Sequence, residues 1–204
     1  EQVQSQADEW NREEDSLLMH LDDVLSGPYN YSNRIVSTID YIDQETTTEK
    51  IIMFTNYAET FEKYTMILLS FFGADSVALF NKRMSVDDLE LNIYRFQNEM
   101  RCRILLCDET GGEGRNLQNA DIVIHIDLPW DANAIEQRIG RLDRLGREVD
   151  RTVLSVVIYS EGTLEGELYK FWSKGLKVFN KSLSGLEIIM NDINDSIITA
   201  VSND

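Results

Sequence analysis

From Ile104 to Glu148 the chain reads ILLCDETGGEGRNLQNADIVIHIDLPWDANAIEQRIGRLDRLGRE. An apolar run, a glycine-rich turn, a second apolar run and a helix-forming segment follow one another with few residues to spare. The final segment sets arginines three residues apart around Gly140. Glycine turns that end strands let backbone N–H groups approach phosphates, and forked arginines neutralise the charge of a phosphoryl group in transfer. On physical grounds this stretch is half of a phosphate-handling site.

The rest of the chain repeats the same alternation. IIMF (51–54), VALF (77–80), ILLC (104–107), IVIHID (122–127) and VLSVVIY (153–159) read as strands. Helices are predicted over 34–42, 57–72, 86–99, 132–145 and 163–183, with a polar loop over 43–49 and a Leu117-containing turn between the third and fourth strands. Short apolar strands alternating with helices predict an α/β fold, a parallel sheet covered by helices on both faces. Ligands collect beyond the carboxyl ends of such strands, where Thr55, Asp108 and Asp127 fall. Leu17, Leu18, Leu21, Val24 and Leu25 predict an amphipathic helix in the N-terminal arm. Leu186, Ile189, Met190, Ile193 and Ile197 predict another near the C-terminus.

Composition narrows the function. Hydrophobic residues make up 43% of the 204, enough for a core, and no apolar run reaches the roughly 18–20 residues of a membrane span. The polar, acidic N-terminus does not read as a signal peptide, and a start at Glu1 without methionine predicts a piece of a longer protein. Cys102 and Cys107 stand five apart with no CxxC and no histidine cluster, so no metal site is expected and a reducing cytoplasm fits. Cys107 and His125 are expected to pack in the core. The formal charge of −17 argues against a surface that grips nucleic acid everywhere, yet Arg138, Arg141, Arg144, Arg147 and Arg151 crowd one segment. Any such contact is a local patch.

GGEGRNLQ, DLPWD and QRIGRLDRLGR, in that order and at close spacing, resemble motifs V and VI of superfamily II helicases in the form used by Swi/Snf-type DNA translocases. The wording DETGGEGRNLQ is nearest the bacterial, RNA-polymerase-associated branch. The resemblance covers about residues 34–160 and implies a RecA-like helicase C-terminal domain there, with an arm or linker over 1–33 and C-terminal helices over 161–204. It implies nucleotide contact at Gly112, Glu113 and Gly114, and nucleic-acid contact at Thr110 and Gly111. Gln137 opens the motif VI helix on the nucleotide side, and Arg138 supports it there indirectly. Arg141 and Arg144, the arginines of GRxxR, take the place of arginine fingers on the γ-phosphate.

Helical geometry agrees on directions. At 100° per residue Ile135, Ile139 and Leu142 fall within about 60° of one another, so Arg141 and Arg144 point away from that stripe and Arg138 lies at its edge. Gly140 falls on the far side, where it costs about 1 kcal/mol against alanine, as expected where something approaches or the helix bends.

Phe54-Thr55-Asn56 resembles motif IV, where a hydroxyl meets a nucleic-acid phosphate, although a strand-to-helix cap calls for the same residue types. Trp130 is either core or a nucleic-acid contact. Two departures stand out: Asp131-Ala132 replaces the usual Asn-Pro, and NKRMSVDDLELN lacks the glycine and arginine common after the second strand.

No G-x-x-x-x-G-K-[ST] and no DEAH-like box occurs, so the chain by itself is expected not to hydrolyse ATP. ATP with Mg2+ would be held mainly by another RecA-like domain of the parent chain. Duplex DNA, that domain and possible contact with RNA polymerase complete the expected partners, with no membrane. Two other readings stay open: a degenerate helicase-like module that binds protein without turnover, and an unrelated α/β enzyme such as a nucleotide-sugar transferase.

Overall fold

In a computed structural model the described residues are 33–111, 117–140, 142, 153–176, 178 and 179. The chain divides into two compact units, residues 1–45 and 46–204. In the first, helix α1 (Asn33–Glu45) buries Ile35, Ile39 and Ile42 at helical spacing. It runs three residues past the expected end because Asp43, Gln44 and Glu45 are good or neutral helix residues with no glycine or proline to stop them.

The second unit holds β1 (Ile51–Phe54), α2 (Ala58–Phe72), β2 (Val77–Phe80), α3 (Val86–Asn98), β3 (Ile104–Cys107), β4 (Ile122–His125), α4 (Ala132–Gly140), β5 (Leu154–Val157) and α5 (Leu164–Lys170). A π-helical turn, Phe171–Leu176, continues α5. The strands form one parallel sheet in the order β2-β3-β1-β4-β5. Every residue of β1, β3 and β4 is buried, so both faces are covered, whereas Leu154 on edge strand β5 is exposed.

One face of the sheet joins Ile52, Phe54, Leu105, Cys107 and Val123 to Ile93 and Phe96 of α3 and to Leu142. A second cluster packs Ile135 of α4 and Leu128 against Leu168 and Trp172. The apolar stripe expected of α4 is therefore the one it buries. Local chemistry ends the helices: the Ser85 hydroxyl accepts from the Asp88 amide to start α3, and Gly73 at φ +80° closes α2. Lys50, just before β1, donates its Nζ to the carbonyls of Phe96, Glu99 and Cys102 and lies over the Phe96 ring, so a cation caps the C-terminus of α3.

The order has a consequence for function. From β1 the chain crosses to β2 on one side, and from β4 it continues to β5 on the other. The carboxyl ends of β1 and β4 therefore flank the point where the winding reverses, the place where α/β sheets keep their ligands.

Strands β4 and β5 are shorter than their apolar runs. Ile126 still donates to Phe54 O (3.0 Å) and Ile158 to His125 O (3.0 Å), so the ladder reaches one residue further than regular strand geometry. The long helix expected over 163–183 is regular only to Lys170. The amphipathic segments expected within 1–26 and 186–201 lie outside the described residues.

Candidate functional site

Two aspartates follow the strands on either side of β1, and each organises the loops around it. Asp108, after β3, accepts from the Lys82 amide (2.8 Å) through Oδ2, and from the Thr110 amide (3.0 Å) and hydroxyl (2.6 Å) through Oδ1. It is only 4% exposed and ties the loop after β2 to the start of the glycine turn. Lys82 and Glu109 close the outer side as an exposed ion pair of 2.5 Å.

Asp127, two residues beyond β4, does the same at the reversal of winding. Its Oδ2 accepts from the Thr55 hydroxyl (2.5 Å), and its carboxylate accepts the Asn56 amide (3.0 and 3.1 Å). Arg138, on α4, lies above it: Nη1 donates to Asp127 O (3.1 Å), Nη2 donates to Asn56 Oδ1 (2.7 Å), and Nη2 stands 3.7 Å from Asp127 Oδ1. The guanidinium also lies over the Phe54 ring, 5.2 Å from its centroid. Arginine, planar and donor-rich, suits a buried position that must reach two acceptors at once.

His125 lies beneath this ring of contacts. Its Nδ1 is 3.4 Å from Arg138 Nη1 and its Nε2 is 3.1 Å from Ser155 Oγ. Arginine only donates, so Nδ1 accepts and the proton sits on Nε2, donating to Ser155. Burial, and secondarily the Arg138 charge, push the imidazole pKa down to about 3. The packed, neutral histidine expected from its place in a strand is what the fold contains.

The residues expected at the nucleic-acid and nucleotide contacts differ in burial. The Thr55 hydroxyl, expected to meet a phosphate, is fully buried, donates to Asp127 and accepts from the Tyr57 amide (3.2 Å). It serves the cap-like turn that the sequence left equally open. Gly111 is buried too, and its amide donates to Asp108 O (2.9 Å). A Cβ there would come within 2.3 Å of Cys107 Cβ and 2.7 Å of the Phe54 ring, so packing alone requires glycine. Thr110 is half-buried, Gln137 is exposed and Trp130 is 46% exposed, so the tryptophan is not core. Among the described residues nothing lies within 4 Å of where a Cβ on Gly140 would be.

Gly112, Glu113, Gly114, Arg141 and Arg144 lie outside the described residues. Sequence reasoning missed Asn56 and Asp127 as the anchors of Arg138. The signal was present only as polar residues one or two places beyond two apolar strands. Among the described residues no cluster of His, Cys, Asp or Glu could hold a metal, and no helix is long and apolar enough to cross a membrane.

The five-stranded parallel sheet with its helices is the fold of RecA-like helicase C-terminal domains. It superposes on the Sulfolobus solfataricus SWI2/SNF2 ATPase core in complex with dsDNA with a TM-score of 0.60, at 21% identity, over 88% of this chain and 37% of that one. It superposes on the C-terminal domain of the DEAD-box protein Dbp5 with a TM-score of 0.54, at 17% identity, over 69% and 77%. Residues 33–146 match the family described as Helicase conserved C-terminal domain, and the chain belongs to that family.

Among curated relatives, the RNA polymerase-associated protein RapA of Vibrio vulnificus (strain YJ016) is 30% identical over 156 residues, 76% of this chain. RapA of Proteus mirabilis (strain HI4320) is 32% identical over 151 residues, 74% of this chain. The matches span only 16% and 15% of those proteins' lengths.

Proposed function

We propose that this chain is the second motor domain of an ATP-dependent DNA translocase or helicase. Its part is to bring Arg141 and Arg144 to the γ-phosphate of ATP with Mg2+ held mainly by a partner RecA-like domain. Closing and opening of the two domains through the hydrolysis cycle then steps the protein along a phosphate backbone. Gly112, Glu113 and Gly114, with Gln137, border the nucleotide. Thr110 and Trp130 contribute to the nucleic-acid track, while Thr55 and Gly111 shape its loops from below. Residues 34–160 make the motor domain in this reading, between an arm over 1–33 and C-terminal helices over 161–204. RNA polymerase, with which the RapA relatives are associated by name, is the proposed assembly partner, in the cytoplasm.

The observation that carries this reading is the convergence at the reversal of winding. The helix that opens QRIGRLDRLGR is bolted there to the ends of β1 and β4 through Arg138. A helix anchored at that point lies at the ligand edge of the sheet, and the next arginines of the motif follow it in the sequence.

ATP hydrolysis by the full-length protein, with and without duplex DNA, beside Arg144→Ala tests it. Removing an arginine finger lowers kcat by about 10³–10⁵ in well-studied systems. A loss below threefold in Arg144→Ala refutes the finger assignment. No hydrolysis by the wild type under any condition turns the reading to a protein-binding module.

A further inference from the structure

We infer that Asn56 is a positioning residue that makes the loop after β1 and the arginine-bearing helix α4 move as one, so that a phosphodiester backbone seated on that loop resets the helix. The inference rests on the motor reading above. Three bonds close a ring across three elements: the Asn56 amide to the Asp127 carboxylate, Asp127 O to Arg138 Nη1, and Arg138 Nη2 to Asn56 Oδ1. The Arg138 and Asp127 side chains are 5% and 7% exposed, so water does not compete for these bonds.

Asn56 is the member of this ring that reaches the surface. It is half-buried, and its neighbour Tyr57 is 57% exposed at the start of α2. The other two members face the core. A ligand that shifts Asn56 therefore acts on α4 directly, through the bond from the planar guanidinium to its Oδ1. Two residues after Arg138 comes Gly140, beside which no described residue lies within 4 Å of where a Cβ would be, and the next residue in sequence is Arg141. Thr55 is less suited to receive such a ligand, because its buried hydroxyl is turned toward the Asp127 carboxylate.

The test uses the full-length protein with Asn56→Leu, which keeps the volume and the backbone amide but removes the acceptor, and Asn56→Asp, which keeps an acceptor facing Arg138. Maximal duplex-stimulated ATP turnover is expected to fall at least tenfold in Asn56→Leu, with the half-saturating duplex concentration moving less than threefold. Asn56→Asp is expected to retain at least a third of the wild-type rate.

Turnover within threefold of wild type in Asn56→Leu overturns the inference. So does a tenfold rise in half-saturating duplex with the maximal rate intact, since Asn56 is then a simple phosphate contact. Amide hydrogen exchange over residues 132–140 supplies a readout that needs neither turnover nor a folded Leu variant. Adding duplex must change exchange there in the wild-type protein, and absence of any change overturns the coupling. If wild type shows no ATP turnover, the motor reading fails by itself and the exchange result decides the coupling alone.

Discussion

Arg138 and Asn56 are 82 residues apart in the chain and 2.7 Å apart in the fold, Nη2 donating to Oδ1. The same guanidinium donates to the backbone carbonyl of Asp127, so the first arginine of the arginine-rich helix is spent on holding that helix to two strand ends.

Removing that anchor should be costly. Breaking one side of a buried ion pair costs about 3–5 kcal/mol, and Asp127 retains the Thr55 hydroxyl and the Asn56 amide, so Arg138→Met is expected near 3 kcal/mol. Arg138→Lys should recover less than half, because an ammonium cannot fork to Asn56 and Asp127 together. Urea unfolding of the three proteins measures both numbers. A loss below about 1 kcal/mol in the Met variant would mean the pair is not desolvated.

Gly111→Ala should destabilise by overpacking. The new methyl would meet Cys107 Cβ, the Phe54 ring and the Asp108 carbonyl at 2.3, 2.7 and 2.9 Å, and backbone cannot swing aside as a flexible side-chain end would. Overpacked cores lose about 1–3 kcal/mol. In a chain of this length each kcal/mol lowers Tm by about 2–4 °C, which a thermal melt resolves.

The buried histidine gives stability a defined pH dependence. Its pKa of about 3 in the fold lies below the ordinary 6.5, so below pH 6.5 the unfolded chain takes up a proton that the native one refuses. Stability is complete above pH 6.5 and is lost progressively as pH falls toward 3, by about 2 kcal/mol at pH 5. Glu49 and Glu109, held below the ordinary carboxylate value by hydrogen bonds from the Thr47 amide and from Lys82 respectively, add their losses at lower pH than this. Denaturant unfolding from pH 7.5 to 5 should show the slope in wild type and a flatter curve in His125→Gln; parallel curves would contradict a neutral buried imidazole.

Lys50→Met should loosen the end of α3 with little effect on the sheet. The apolar stem is kept, while the donors to the carbonyls of Phe96 and Glu99 at the end of α3, and of Cys102 beyond it, are lost. A partly exposed charged cap contributes about 1–2 kcal/mol. Hydrogen exchange should rise in the last turn of α3 before it rises in β1, and equal protection there would rule out the cap.

Much of this architecture was legible without coordinates. IIMF, VALF and ILLC became strands at the residues read, because four-residue apolar runs bounded by polar or turn residues have few other uses in a sheet buried on both faces. Ile135 and Leu142 went into the core because a 3.6-residue period leaves no choice of face. The family, too, was written in three linked motifs. The limits of β4 and β5 were not legible, since apolar residues continue past the point where the ladder ends.

The sequence by itself determined the alternation, the apolar faces and the motif order, all of which depend on neighbours within a turn or a strand. Only the tertiary structure decided which polar residues are spent on the scaffold and which remain for a ligand. Thr55, Asn56 and Asp127 stand one or two residues past strand ends that no local rule pairs, and parallel register brings Phe54 beside His125. That register places Thr55 and Asn56 against Asp127 and lets Arg138 bridge them. Such partnerships join positions more than seventy residues apart, so their geometry arises only when the sheet closes.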